Sequence, residues 1–139
     1  MALRLLIAVV GIVGVFLVLS AIRLWVAARK RALKRLSPDP QFNDAGPTVL
    51  YFYTDSCAPC RDLQEPALRR LKASVDPSLR VVKIDALAMP EVADRYKVMT
   101  VPTTIILDAE GKVTTANFGY ISEQKLAEQL AKVGIAVQS

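Results

Sequence analysis

Eighteen consecutive residues, Leu5 to Ile22, carry no charge, and only Ser20, Gly11 and Gly14 depart from the apolar character of the run. About 20 apolar residues span the hydrocarbon core of a bilayer, and Leu24, Trp25 and Val26 lengthen the stretch to that size. This run predicts a single-pass membrane helix with residues 5–26 in lipid. It also accounts for much of the 53% apolar content and the mean hydropathy of +0.32. What is left of the 139 residues suffices for one ordinary domain.

Charge divides at the same place. The first 36 residues hold seven basic residues and no acid, whereas the other 103 hold eleven basic and thirteen acidic residues. The overall net charge of +5 therefore belongs to the membrane flank, and the domain itself is mildly acidic. Nucleic-acid binding calls for basic residues clustered on a folded face, so no nucleic-acid partner is expected. Trp25 stands where an interfacial aromatic belongs, and the Arg/Lys cluster follows where headgroups begin. A cleaved signal peptide is the alternative, with Val18-Leu19-Ser20 as its cleavage site. Signal cores run 7–15 residues, shorter than this one, which favours a retained anchor.

The organisation expected is an anchor with a basic juxtamembrane extension over residues 1–36, a linker over 37–46 and a folded domain over 47–139. The linker sequence SPDPQFNDAGP, which ends at Pro47, contains three prolines and no periodicity, and X-Pro steps disfavour helix. Beyond it, Val49–Tyr53 is an apolar, aromatic run suited to a buried strand. A helix follows over about 59–73, with Leu63, Ala67, Leu68 and Leu71 inward. Leu79–Asp85 reads as a strand, Pro90–Tyr96 as a short helix with proline in its first turn, and Thr103–Leu107 and Lys112–Phe118 as a hairpin. Ser122 caps a last helix that stops at Gly134. The order βαβαββα, with a crossover helix, a hairpin and a covering helix, makes an α/β sandwich.

The chain has no histidine and only two cysteines, Cys57 and Cys60. Cys-His and Ser-His nucleophile pairs, imidazole metal sites and the C-x-x-C-H haem attachment are thereby removed. Cys57-Ala58-Pro59-Cys60 lies where a buried strand meets a helix. A thiol at a helix N-terminus sees unpaired N–H groups and the positive end of the dipole, which favour the thiolate. Cys57, nearer the mouth of the turn, is expected to attack first, and Cys60, one turn in, to resolve the mixed disulfide. Pro59 stiffens the turn. The alternatives are an inert buried pair or a metal site, but zinc takes four ligands and this chain offers two thiolates. No metal and no cofactor are expected.

Thr100-Val101-Pro102-Thr103 precedes the third predicted strand. A proline is tolerated at the start of a strand because no ladder donor is needed there. If the Val101–Pro102 bond is cis, it makes a tight turn whose exposed backbone can pair with an extended peptide; the alternative is an ordinary trans proline. Val101 and Pro102 are thus the candidate substrate-binding residues.

The C-x-P-C motif after an apolar strand, Lys83-Ile84-Asp85, Val101-Pro102-Thr103 and Gly119 before the last helix together resemble the thioredoxin family, over residues 47–135. The resemblance implies a thioredoxin-like fold, a four-stranded mixed sheet with flanking helices. It also implies Cys57 as attacking thiol, Cys60 as resolving thiol and Pro102 as a cis-proline facing the disulfide. Departures from the family pattern are Ser56 in place of a tryptophan, Ala58 in place of a glycine, and Tyr51 in place of a buried aspartate that assists deprotonation of the resolving thiol. Lys83 matches a family lysine but lacks that aspartate as partner; its other reading is a lysine snorkelling from a strand end. Tyr51, Lys83 and Pro59 are the supporting residues. The family's first strand and helix have no room before Thr48.

The expected function is a membrane-tethered thiol–disulfide oxidoreductase that reduces protein disulfides, served by an electron-donating reductase. A peptide-binding module with little turnover is the competing class. Arg4 and the amino terminus precede the span, and six basic residues follow it between Arg23 and Arg35. Lys/Arg bias within about 15–20 residues of the span ends sets orientation, so the domain is expected on the cytoplasmic side of the cell membrane. The short tail before the span fits that orientation. The resemblance argues for the other side, where anchored family members reduce apocytochrome cysteines or repair secreted disulfides.

Overall fold

A computed structural model describes residues 1–42 and 46–137. The chain divides into two compact units, Met1–Ala32 and Leu33–Ser139.

The first unit is helical. Helix α1, Ala2–Lys34, contains an 18-residue window of mean hydropathy 3.0 with none of it buried. At 1.5 Å per residue its 33 residues are about 50 Å long, more than the hydrocarbon core requires. Near its polar end the Arg29 guanidinium lies 5.4 Å from the centroid of the Trp25 ring, one turn away.

The second unit is built on a four-stranded sheet of order β2-β1-β3-β4. Strand β1, Thr48–Tyr53, is central, pairing parallel with β2, Arg80–Asp85, and antiparallel with β3, Thr103–Leu107; β4, Val113–Phe118, pairs antiparallel with β3. Helix α2, Glu65–Ser74, follows β1; α3, Pro90–Arg95, follows β2; α4, Glu123–Ala131, follows β4. Every element of the expected βαβαββα order is present. The unbroken apolar run of β1 is explained by burial on both faces. Val49 and Tyr51 enter one cluster with Leu68 and Leu71 of α2, Ile106, and Leu126 and Leu130 of α4. Leu50 and Phe52 enter the other with Ile84, Ala93, Tyr96, Ile105 and Leu107. Ser122 caps α4 by accepting from the Lys125 N–H at 3.4 Å, and Gly134, at φ +88°, ends that segment.

Upstream of β1 the structure differs from the expected linker. Leu33, fully buried, belongs to the second cluster, and so does Phe42, which ends a 3₁₀ turn over Pro40–Phe42. Phe42 packs 6.3 Å from the Tyr96 ring, Asp39 pairs with Arg95 at 3.0 Å, and Arg95 donates to the Ser37 carbonyl at 2.9 Å. Proline-rich composition reports the loss of helical periodicity; it does not forbid packing, and here Leu33, Phe42 and the Arg95 contacts hold the segment on the domain. Residues 43–45 of that stretch lie outside the described residues.

Candidate active site

The C-terminal end of β1 delivers the cysteines. After Tyr53 the chain turns, the Cys57 N–H donating to the Thr54 carbonyl at 3.1 Å. Pro59, at φ −61° and ψ −30°, already has helical geometry and leads into a π-helical turn over Cys60–Gln64, which continues as α2. The single helix expected from Pro59 therefore starts with a widened turn, a feature that concentrates at functional sites. Cys57 and Cys60 form a disulfide across a Cα separation of 5.3 Å.

The two sulfurs are not equivalent. Cys57 is 9% exposed and Cys60 1%. The Cys60 N–H points at the Cys57 Sγ, 3.2 Å away, so the first sulfur receives a backbone donor from the start of the helix. Such a donor stabilises a thiolate when the bond is reduced. The geometry separates an outer, N–H-facing sulfur from an inner, enclosed one.

Beneath Cys60 lies Tyr51, fully buried. Its hydroxyl donates to the Cys60 carbonyl at 3.2 Å, and the same carbonyl accepts the Glu65 N–H that closes the π turn. The phenol is held far above the ordinary tyrosine range, first by burial and then by the charges of Glu65 and Tyr53. It is therefore neutral throughout the physiological range. Tyr51 also stacks on Tyr53 at 5.7 Å.

Lys83 does not simply snorkel. Its ammonium pairs with the Glu65 carboxylate at 2.9 Å and stands 4.7 Å from the centroid of the Tyr53 ring. Sequence reasoning missed Glu65. On an ordinary α-helix a residue five positions after Cys60 faces elsewhere, whereas the i→i+5 bond of the π turn stacks it against its partner. Cys60, Glu65, Lys83, Tyr53 and Asp55 line a cavity of about 230 Å³. A neighbouring groove of about 380 Å³ shares Glu65 and Lys83 and runs on to Arg69 and Lys72.

The segment before β3 is tied to the chain just past β4. The Val101–Pro102 peptide is cis, Pro102 is buried, and its carbonyl accepts the Gly119 N–H at 2.8 Å. Val101 packs against the apolar cluster that contains both cysteines. Gln64, another residue the sequence reading passed over, is fully buried and bonds both backbone groups of Ile121: its amide donates to the carbonyl at 3.2 Å, and its oxygen accepts the N–H at 3.0 Å. The π turn is thereby tied to the segment that follows Gly119.

This arrangement agrees with what the chain is similar to. The family model described as Thioredoxin matches residues 39–132. Thioredoxin-1 of Drosophila yakuba is 34% identical over 85 residues, covering 61% of this chain and 77% of the relative. The thioredoxin of Bacillus subtilis is 31% identical over 87 residues, covering 63% and 82%. Among solved structures, the germline-specific thioredoxin Deadhead of Drosophila melanogaster superposes with a TM-score of 0.58 at 30% identity, covering 67% of this chain and 86% of its own. The chain belongs to the thioredoxin family, and its fold, its paired cysteines and these relatives make it a thiol–disulfide oxidoreductase.

Proposed function

We propose that this oxidoreductase works as a membrane-tethered reductase of protein disulfides. The observation that carries the reading is the asymmetry of the pair: Cys57, more accessible and facing the Cys60 N–H at 3.2 Å, against Cys60 at 1% exposure. In the reduced enzyme the Cys57 thiolate attacks one sulfur of a substrate disulfide, forms the mixed disulfide and releases the first substrate thiolate, which takes a proton from water. Cys60, deprotonated, then attacks the Cys57 sulfur, closes the Cys57–Cys60 disulfide and releases the second substrate thiol. An electron-donating reductase returns the pair to two thiols. Val101 and Pro102 supply the surface against which an extended substrate segment lies.

Helix α1 supports the tether by length and hydropathy. Six basic residues from Arg23 to Arg35, against Arg4 and the amino terminus, favour a cytoplasmic domain. A reducing compartment keeps Cys57 and Cys60 as thiols, which suits a reductase.

Insulin reduction with dithiothreitol tests the chemistry. The full chain is expected to accelerate it, Cys57→Ser to abolish the effect, and Cys60→Ser to accumulate mixed disulfides with protein substrates. A Cys57→Ser chain as active as wild type overturns the reading. Retention of the full-length chain in carbonate-washed membranes tests the tether; release of a shortened chain identifies a signal sequence instead. Labelling of Cys57 in intact cells by a membrane-impermeant maleimide, with a cytosolic control silent, places the domain outside.

A further inference from the structure

The second half of the reaction needs a proton acceptor. Cys60 must lose its proton before it can attack, yet it is only 1% exposed and has little direct access to bulk water. Tyr51, which bonds to the same residue, is a neutral phenol whose O–H is committed to the Cys60 carbonyl. The chain has no histidine. Arg61 and Lys83, which line the cavity beside Cys60, are cations. That leaves two carboxylates in the same wall, Asp55 and Glu65. Asp55 is exposed on the turn before Cys57. Glu65 is more enclosed, with its side chain 30% exposed, and is oriented by Lys83 at 2.9 Å.

We infer that Glu65, positioned by Lys83, is the acceptor for the Cys60 proton when Cys60 resolves the mixed disulfide. The inference rests on the reductase reading above. Three independent features converge on it. The π turn bonds the Glu65 N–H to the Cys60 carbonyl, which sets residue 65 one wide turn beyond the thiol. The cavity of about 230 Å³ is lined by both residues and has room for a water relay between them. Lys83, anchored over the Tyr53 ring, holds the carboxylate on the strand side of the helix.

The step balances without any further reactant. The proton of Cys60–SH passes to the Glu65 carboxylate, and the Cys60 thiolate attacks the Cys57 sulfur of the Cys57–S–S–substrate bond. The Cys57–Cys60 bond forms as the bond to substrate breaks, and the electron pair leaves on the substrate sulfur. That thiolate takes a proton from Glu65 or water, which restores the carboxylate or leaves it to exchange with solvent.

The test follows both thiols separately in the full-length reduced chain, mixed with dithiobis-nitrobenzoate in a stopped-flow instrument. The first release of thionitrobenzoate reports attack by Cys57, and the second reports resolution by Cys60. Glu65→Gln is expected to leave the first release unchanged and to slow the second about a hundredfold at neutral pH, the lower end for a positioned base. The deficit should shrink as pH rises and the thiol ionises unaided. Glu65→Asp should recover part of the rate, and Asp55→Asn should slow the second release far less than Glu65→Gln does. Groups able to shape that profile are Tyr51 and Tyr53 of β1, Lys83 of β2, Asp55, and Arg61, Arg69 and Lys72 along the helix. A second release at wild-type rate in Glu65→Gln overturns the inference. So does an equal slowing of both releases, or a deficit that ignores pH, since either is the mark of a structural role. If wild type itself shows no second release, the reductase reading falls as well, and that outcome is distinct from the others.

Discussion

The Tyr51 hydroxyl donates to the backbone carbonyl of Cys60 across 3.2 Å, with both residues buried. A neutral donor thus occupies the position beneath the inner cysteine where the family pattern has an acid. The bond holds the π turn to the central strand and cannot take up a proton.

Removing that bond separates support from chemistry. Tyr51→Phe keeps the ring and loses the hydroxyl, while the Cys60 carbonyl keeps its bond from Glu65. The expected cost is about 1 kcal/mol in urea unfolding, with resolution by Cys60 still occurring. Tyr51→Asp empties the ring site and buries an ionisable group, so a larger loss of about 3–5 kcal/mol is expected. Where that variant folds, resolution at neutral pH should be faster than in Tyr51→Phe; an unchanged rate would show that a second carboxylate adds nothing.

Alkaline pH should weaken the domain through the same residue. Burial raises the folded-state phenol of Tyr51, and that of Tyr96 as well. A group raised on folding contributes its stability below the unfolded value of about 10 and loses it as pH climbs toward the folded value. Urea midpoints measured above pH 10 should therefore fall with pH, and Tyr51→Phe should show a shallower fall. A steeper fall in that variant would contradict the assignment.

Gln64 supports the site from the other side. Its amide satisfies both the N–H and the carbonyl of Ile121 in a buried setting. Gln64→Leu preserves bulk but strands two backbone groups, at about 1–3 kcal/mol each. A combined loss of about 2–6 kcal/mol is expected in chemical denaturation, together with faster amide exchange at Ile121.

The segment before β1 should matter more than its composition implies. A chain starting at Lys30 retains Leu33 and Phe42, both nearly fully buried, whereas one starting at Gly46 loses them. Burying such side chains contributes about 1.5–3 kcal/mol each, so the shorter chain is expected to be less stable by about 3–6 kcal/mol. Equal urea midpoints would show that the segment is dispensable.

Local patterns were legible because they are written over a few residues. The charge-free run of Leu5–Ile22, the apolar strand before Cys57, the proline at the start of α3 and the Ser122 cap each follow from period, propensity or capping chemistry. They determined the order of elements, the tethered layout expected of the chain and the placement of the cysteine pair where β1 meets a helix. Tertiary structure decided the rest. Tyr51 and Cys60 are 9 residues apart, Lys83 and Glu65 18, and Gln64 and Ile121 57. No local signal links such pairs, and the widened turn at Cys60–Gln64 rotates Glu65 onto a face that α-helical periodicity assigns elsewhere. The isomer of Val101–Pro102 stayed open because the two forms differ by only about 1 kcal/mol in a free chain. Leu33 and Phe42 read as anchor and linker until the sheet offered them a face to cover, since burial is a property of the assembled layers.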